Sequence, residues 1–239
     1  MLMDVPFLAP YISKSSVMTS DKNAGIRLYS YWRRSAAYRV RIALNLKGLT
    51  YEQVPVHLVR GGGEQHGKDF RAVNRQGLVP VLLHEGRVLT QSMAICEYLE
   101  EQFPQSPLLP EDSVARAHIR ALALQVACEI HPLNNLRVQK YLQAQCGKSL
   151  DTVAWMVHWM SEGFSVIEHQ LDDRGAEQNA YYADQPGLFE CFLIPQVYNA
   201  ERYGTDLSGF PQIRRIVAHC MQLPAFIAAA PENQPDAVH

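Results

Sequence analysis

The hydrophobic pattern of the chain changes at a cluster of three prolines within seven residues. These are Pro104, Pro107 and Pro110. Upstream, from residue 25 onward, short β-rich segments alternate with helical ones in the order strand, helix, strand, helix, strand, strand, helix. Downstream, the apolar spacing is that of amphipathic helices. Because proline clusters interrupt regular structure, we predict an α/β domain at 25–104, a linker at 105–111 and an all-helical domain at 112–239.

The composition is that of an ordinary globular protein. The chain has 239 residues, 47% of them hydrophobic and 19% charged, with a net charge of −2, so it lacks the basic excess of a nucleic-acid-binding protein. Its five cysteines are scattered without C-x-x-C spacing, which argues against a disulfide framework or a zinc site and favours a reducing compartment. We predict a cytoplasmic protein without nucleic-acid or membrane partners.

The first 24 residues do not share the pattern of the α/β domain. Residues 5–12 are apolar, but the run is short, contains two prolines and follows Asp4 rather than a basic stretch. It therefore fits neither a signal peptide nor a membrane span. Met18, which precedes a polar stretch, is an alternative start of the chain. We predict that residues 1–24 form a disordered leader.

Local signals define the elements of the α/β domain. The predicted order is a strand at 26–31, a helix at 38–47, a strand at 51–56, a glycine loop at 61–63 and a short helix at 69–73. Gly48 follows the first helix at the position that favours glycine. Glu85 and Gly86 form a dipeptide suited to a tight turn between strands at 79–84 and 87–90.

Capping signals and apolar stripes predict the remaining helices. Ser92 stands at an N-cap position ahead of a segment with helical spacing. A long stripe comprises Val153, Met156, Val157, Met160, Phe164, Ile167 and Leu171, and a shorter one Ile213, Ile216 and Val217. Gly187 stands at another N-cap, with Glu190 placed to reach back to its N–H. Glycine lacks the side-chain oxygen of the usual N-cap residues but is tolerated there. We therefore expect it to lower the free energy of unfolding by about 0.5–1 kcal/mol at most.

Residues 31–48, YWRRSAAYRVRIALNLKG, form a strand-to-helix junction with the hydroxyl of Ser35 at the helix entrance. A hydroxyl and unpaired backbone N–H groups at a helix N-terminus stabilise an anion, so a thiol bound there ionises more readily. The segment resembles the zeta-class signature of glutathione transferases. Arg34 departs from that signature, because it replaces the serine that the family uses to hold the glutathione sulfur. Either Ser35 takes over, or Arg34 supplies a cationic donor, or activity is weakened; alternatively, Ser35 is a plain N-cap.

Two further segments of the α/β half resemble the same family. In the stretch 76–80, a proline just before a strand is compatible with the sheet, and the match implies a cis Val79–Pro80 bond that exposes the Val79 backbone to glutathione. Gln91 and Ser92 open a helix whose first N–H groups suit a carboxylate. The structural alternatives are a simple loop proline and a simple helix cap.

The helical half contains two more segments of this kind. Residues 129–137 resemble the segment that closes the zeta-class active site, and residues 195–203 resemble one whose arginine binds a substrate carboxylate. Arg202 can bind a carboxylate bidentately, which lysine imitates poorly. The alternatives are a helix-end histidine in the first segment and a surface ion pair of Arg202 with Glu201 or Asp206.

The zeta-class resemblance implies a thioredoxin-like α/β N-terminal domain plus an all-α C-terminal domain, glutathione as cofactor and a homodimer. It implies that bound glutathione thiolate adds to the cis double bond of maleylacetoacetate and leaves again as fumarylacetoacetate forms. The implied catalytic residues are Ser35 and Arg34. The implied glutathione-binding residues are Ser35, Ala36, Gln65, Val79, Pro80, Gln91 and Ser92. The implied binding residues for the small-molecule substrate are His131, Asn135, Leu136, Arg137 and Arg202, and no metal is expected.

Three other functions are compatible with the same sequence features. A maleylpyruvate isomerase would differ only in substrate, and a glutathione transferase acting on α-halo acids would use the same thiolate. A non-catalytic glutathione-binding protein is the alternative from a different class, and Arg34 in place of a serine is the feature that favours it.

Overall fold

The computed structural model describes residues 25–173 and 180–238, so the leader predicted at 1–24 lies outside the described residues. The strands are β1 (Arg27–Ser30), β2 (Glu52–Pro55), β3 (Val81–His84) and β4 (Arg87–Thr90). They form one sheet in the order β2-β1-β3-β4. β1 is parallel to β2 and antiparallel to β3, and β4 is antiparallel to β3. The four predicted strands are therefore present.

Helices occur in both halves of the described chain. They are α1 (Ser35–Leu46), α2 (Lys68–Val73), α3 (Ser92–Gln102), α4 (Ser113–Leu124), α5 (Leu136–Cys146), α6 (Thr152–Asp172), α7 (Leu188–Arg202), α8 (Pro211–Cys220) and α9 (Pro224–Ala229). All four strands precede α4, so the predicted fold class, a thioredoxin-like half followed by an all-helical half, is confirmed.

The β3–β4 hairpin has the turn that the sequence predicts. Glu85 and Gly86 both have positive φ, 48° and 75°. Two successive residues in this region give a turn whose twist matches that of the flanking strands. On the other side of β3, Leu82 lies opposite Leu28 of β1, and both side chains are fully buried. The hairpin thus anchors β3 in the centre of the core.

Helix α1 joins the two halves of the protein. Nine of its twelve residues are buried, and it packs on α3, α7 and α9. Within it, the buried guanidinium of Arg41 donates to Trp32 O (2.9 Å), Ser30 Oγ (3.1 Å) and Ala229 O (3.0 Å). Asp236, near the C-terminus, accepts a hydrogen bond from Trp32 N at 2.9 Å. Both backbone groups of Trp32 are therefore held, which fixes the loop that leads into α1.

The segment predicted as a linker is packed against both halves. Leu108 and Leu109 are buried, and their N–H groups donate to the Glu100 carboxylate at 2.9 and 3.2 Å. Lys47 Nζ donates to the same carboxylate at 2.7 Å. The buried ion pair is hydrogen-bonded throughout, as such pairs must be to offset their desolvation. The domain boundaries at 104 and 112 stay a prediction.

Some local expectations differ from the structure: α1 begins at Ser35 rather than at residue 38, and β3 begins at Val81 rather than at residue 79. Helix α3 begins at Ser92, and its N-cap is Gln91, with a φ of 69°, so the prediction of Ser92 as the N-cap is displaced by one residue. In α6, Met156, Met160, Phe164, Ile167 and Leu171 are buried as the stripe predicts, whereas Val153 is 45% exposed. Val153 lies in the first turn of α6, beyond the edge of the core.

Gly187 has a packing role that the sequence does not reveal. It is the N-cap of α7, and its N–H donates to Glu190 Oε2 at 2.9 Å, as expected for the capping box. A Cβ at this position would lie 2.3 Å from Leu108 O, which also accepts the hydrogen bond of Leu188 N. Glycine is therefore required by the close approach of the linker segment rather than merely tolerated as a cap.

We expect Gly187→Ser to lower the free energy of unfolding by about 1–3 kcal/mol, the usual effect of overpacking a rigid contact. A serine hydroxyl could cap α7, but its Cβ would displace the Leu108 carbonyl. Urea unfolding monitored by circular dichroism measures the change. Gly209→Ser is the matched control, because no atom lies within 4 Å of a Cβ built at Gly209. Equal stability of the two variants would contradict this packing role.

Candidate active site

Three cavities meet beside Arg34, between the sheet half and the helices that follow it. The α3 cavity, at the start of α3, includes Arg34, Ala36, Val79, Pro80, Gln91, Ser92, His131, Asn135 and Arg137. The α2 cavity, ahead of α2, includes Arg34, Gln65, Val79, Asn135, Leu136 and Arg137. The α7 cavity, at the end of α7, includes Arg34, Ser35, His131, Leu136 and Arg202. The structure thus brings all residues of the predicted site together, while their roles stay predictions.

Arg34 is the residue common to the three cavities. It is the N-cap of α1, and its backbone N–H donates to Tyr31 O at 2.9 Å. Its half-buried guanidinium makes no hydrogen bond or ion pair within the described part of the chain. Burial, followed by repulsion from Arg137, lowers the pKa of Arg34 to about 10. The side chain is therefore a cation at neutral pH, and it is available to a ligand.

Ser35 is the first residue of α1 and is 8% exposed. The alternative of Ser35 as a plain N-cap is wrong, because Arg34 occupies that position. Ser35 lines the α7 cavity, and its neighbour Ala36 lines the α3 cavity. The hydroxyl and the first N–H groups of α1 therefore lie where these cavities meet.

The segment just before β3 and the start of α3 both contribute to the walls of the α3 cavity. The Val79–Pro80 peptide bond is cis, as the motif implies. Gln91 Nε2 donates to Gln76 Oε1 at 3.3 Å, and Ser92 Oγ accepts a hydrogen bond from Arg39 Nη1 at 3.2 Å. The start of α3 therefore offers a hydroxyl and helix N–H groups to an anion in this cavity.

Gln65 and Asn135 are partly engaged with the protein itself. Gln65 Nε2 donates to Leu58 O at 3.3 Å, whereas its Oε1 is buried without a partner among the described residues. Asn135 is the N-cap of α5, and its Oδ1 accepts a hydrogen bond from Arg137 N at 3.2 Å. The capping role fixes Asn135 and thereby sets where Leu136 and Arg137 enter the cavities.

His131 belongs to the walls of both the α3 and the α7 cavity. Its two ring nitrogens are buried and have no hydrogen-bond partner within residues 25–173 and 180–238. Burial, followed by repulsion from Arg39 and Arg34, holds the pKa of His131 well below its usual value. The imidazole is neutral at neutral pH, so it offers one N–H donor and one acceptor to a ligand.

Arg202 ends α7 and is exposed to the α7 cavity. Its Nη2 donates to Tyr203 Oη at 3.0 Å, its Nη1 to Asn199 Oδ1 at 3.4 Å, and its guanidinium lies 4.6 Å from the centre of the Tyr203 ring. The alternative of a surface ion pair is wrong for the described residues: neither Glu201 nor Asp206 pairs with Arg202, and Asp206 accepts hydrogen bonds from Ser208 instead. Both guanidinium edges are supported by neutral groups.

The charged side chains among the described residues that line the combined site are cationic. Cationic side chains line all three cavities, and none of the described residues that line them is acidic. The cations are Arg33, Arg34, Arg39, Arg137, Lys140 and Arg202. Such a site favours a ligand with several negative charges, because the field of its walls is not cancelled by carboxylates.

Arg33, Arg39 and Lys140 are cationic residues of the cavities that the sequence interpretation did not assign to the site. Arg33 lines the α7 cavity and lies 4.9 Å from the ring centre of Trp32, and Arg39 lines the α3 cavity. A signal for Arg39 was present: it follows Ser35 by four residues, and side chains at that spacing share one face of a helix.

Comparisons with known proteins agree with this arrangement. A sequence profile described as "Glutathione S-transferase, N-terminal domain" matches residues 29–107. A probable maleylacetoacetate isomerase of Vibrio cholerae is 48% identical over 211 residues, which cover 88% of this chain and 97% of that protein.

Two solved structures extend the similarity to the fold. The holo structure of a maleylpyruvate isomerase, a bacterial glutathione S-transferase in the zeta class, has 44% identity and a TM-score of 0.84, and covers 89% of this chain and 100% of that one. A maleylacetoacetate isomerase from Anaeromyxobacter dehalogenans with glutathione bound in its active site has 40% identity and a TM-score of 0.77, and covers 89% and 98%.

The sheet half, the helical half and the matched region together define a glutathione S-transferase fold. More narrowly, the chain belongs to the zeta class of glutathione transferases, the family of the maleylacetoacetate and maleylpyruvate isomerases. Among residues 25–173 and 180–238, no helix is long and apolar enough to cross a membrane. The same residues contain no cluster of His, Cys, Asp or Glu side chains suited to hold a metal ion.

Proposed function

We propose that this protein is a glutathione-dependent cis–trans isomerase that converts maleylacetoacetate to fumarylacetoacetate. The observation that carries the proposal is the junction of three cation-lined cavities at Arg34, with Ser35 and His131 at the same junction. The α2 and α3 cavities can hold a peptide-like anion, and the α7 cavity can hold a dicarboxylic substrate. The zeta-class relatives named as isomerases support the reaction.

Features of this chain fit glutathione. The start of α3 offers the Ser92 hydroxyl and free N–H groups to a carboxylate, and the Val79 backbone lies in the same cavity. The buried Nε and Nη2 of Arg39, the Oε1 of Gln65 and both nitrogens of His131 have no partner in the described chain. Buried polar groups are rarely left unpaired, so these atoms indicate a missing polar ligand. Residues that would hold glutathione are Ser35, Ala36, Gln65, Val79, Pro80, Gln91 and Ser92.

When bound, glutathione would supply a thiolate nucleophile: its addition to the cis double bond would allow rotation about the resulting single bond, and its elimination would leave the trans double bond. Arg34 and Ser35 would stabilise the thiolate through a positive charge and a hydroxyl donor. Arg202 would hold a substrate carboxylate in the α7 cavity, and the neutral His131, or Asn135, would donate a hydrogen bond to the oxygen on which negative charge develops. Leu136 and Arg137 would be the remaining residues that bind the substrate.

Maleylpyruvate is the second candidate substrate. The specific observation in its favour is the TM-score of 0.84 against a maleylpyruvate isomerase, whose whole length is covered. Both substrates carry two carboxylates and a cis double bond conjugated to a ketone, so the cations of the α7 cavity suit either one.

Steady-state assays with maleylacetoacetate and maleylpyruvate, each with and without glutathione, test the proposal. We expect turnover only with glutathione, and the ratio of the two kcat/KM values identifies the preferred substrate. Turnover without glutathione would rule out the mechanism. Tight glutathione binding without turnover of either substrate would favour a non-catalytic glutathione-binding protein. Turnover of α-halo acids alone would favour a glutathione transferase that acts on those acids.

Ser35→Ala should lower turnover at least about tenfold, as expected when one hydrogen bond to a charged group is lost. The hydroxyl lies at the α1 entrance, where it would donate to the thiolate. Stopped assays at saturating glutathione measure the change, and Ser113→Ala, at the start of α4 and outside the three cavities, is the control. An unchanged rate would shift the donor role to Arg34 or to the backbone.

The proposal also includes a cytoplasmic homodimer. Its support is the zeta-class resemblance and the presence of five free cysteines, two of them exposed, which suit a reducing compartment. Analytical ultracentrifugation would give the mass in solution, and a monomer at micromolar concentration would contradict the dimer.

A further inference from the structure

Arg39 is a buried cation without a counter-charge among the described residues. It is 2% exposed, and its guanidinium lies 4.5 Å from the ring centre of Phe192, which is fully buried. Its Nη1 donates to Ser92 Oγ, whereas its Nε and Nη2 have no partner within the described residues. Burial, followed by repulsion from Arg34, lowers the pKa of Arg39 to about 9. Because removal of an ion from water costs several kcal/mol, buried charges are normally paired.

The surroundings of Arg39 indicate the chemistry of its missing partner. Arg39 lines the α3 cavity beside Ser92 and His131, and no acidic side chain is found among the described residues of that cavity. Since Ser92 Oγ accepts the hydrogen bond of Arg39, its hydroxyl proton can point to an acceptor in the cavity. The first N–H groups of α3 lack intrahelical acceptors and lie at the same place. Donors from three sources therefore lie at the same cavity.

We infer that Arg39 is a further glutathione-binding residue, which positions the Ser92 hydroxyl toward the α-carboxylate of the γ-glutamyl group and supplies the buried positive charge that this carboxylate neutralises. The inference rests on the proposed function only in taking glutathione as the ligand. Without ligand, the uncompensated charge destabilises the protein, and binding removes that penalty.

Arg39→Met separates this role from a structural one. Methionine retains most of the length and apolar contact of the stem but removes the charge. We expect the Tm of the ligand-free protein to rise and the Kd for S-methylglutathione to increase at least about tenfold, as for loss of a charge-assisted contact. The methylated thiol excludes thiol ionisation and turnover from the calorimetric readout. A purely structural arginine would give a lower Tm.

Three further variants complete the test. Arg39→Lys should recover part of the affinity, and Arg120→Met, outside the cavity and paired with Glu97, should leave Kd unchanged. In Arg39→Met/Ser92→Ala the loss of affinity should be smaller than the product of the single losses, because Arg39 acts in part through Ser92.

Each contrary outcome is informative. Unchanged affinity of Arg39→Met, or its failure to fold, would overturn the inference, since removal of an unpaired buried charge should stabilise the protein. Independent losses in the double variant would overturn the positioning of Ser92. Failure of the wild-type protein to bind S-methylglutathione would instead contradict glutathione as the ligand, and absence of isomerase turnover would leave the binding result unaffected.

Discussion

Arg202→Met should lower kcat/KM for the maleyl substrate about 100-fold, because two hydrogen bonds from a cation to a carboxylate are lost together. Tyr203 and Asn199 hold the guanidinium without neutralising it, and no described carboxylate pairs with it. Its charge is therefore directed to the α7 cavity. Arg202→Lys retains the charge but not the two-pronged geometry, so we expect an intermediate loss. The affinity for glutathione should change little.

Steady-state kinetics with either maleyl substrate measure this effect, and calorimetry measures glutathione binding in parallel. Arg214→Met is the matched control, since Arg214 is an exposed arginine of α8 that lines none of the three cavities. If Arg202→Met lowered only the affinity for glutathione, Arg202 would be a glutathione-binding residue rather than a substrate-binding one. If kcat/KM of Arg202→Met changed no more than that of the control, Arg202 would have no role in the mechanism.

Arg34→Met should reduce turnover at neutral pH by about 100-fold, since an adjacent opposite charge shifts the pKa of an ionisable group by about 1–3 units. The guanidinium favours the anionic form of the bound thiol, so its loss raises the thiol pKa. The acid limb of the pH–rate profile should therefore move to higher pH. Arg34 itself, with a pKa of about 10, keeps its charge through neutral pH and loses this effect only as the pH rises through about 10.

The ultraviolet absorbance of the thiolate in the binary complex reports the thiol pKa without any turnover. Arg34→Lys should retain part of the shift, and Arg34→Ser tests whether a hydroxyl, the residue of the zeta-class signature, replaces the cation. Arg71→Met, an exposed arginine of α2 outside the three cavities, is the control. An unshifted acid limb in Arg34→Met would leave thiolate stabilisation to Ser35 and the backbone of α1.

The elements of the α/β half were largely predictable because their signals are local. Glu85 and Gly86 adopt the turn that their residue types favour, and Gly48 follows α1 with a φ of 65°. The exact ends of helices depend on backbone geometry as well as on residue type. Ser92 and its neighbour Gln91 both have polar side chains, and only the backbone geometry decides that Gln91 is the cap.

The site residues that lie within short sequence motifs could be predicted from the sequence. The run around Arg34 and Ser35, the Val79–Pro80 bond and the start of α3 are recognisable as short segments, and each lines the cavities. That Arg202 reaches the same place depends on the packing of α7 against α1, which no short segment encodes. The sequence predicts that these segments meet at one site only through the family resemblance.

The sequence alone specifies the order of elements, the change from α/β to helical segments, the zeta-class motifs and the arginine in place of the signature serine. These follow from spacing and residue type within short stretches. The burial of Arg39, with no counter-charge in the described part of the chain, and the approach of Gly187 to the Leu108 carbonyl emerge only in the folded protein. Both features depend on contacts between residues far apart in the chain, because packing sets the burial and the charge environment of each side chain.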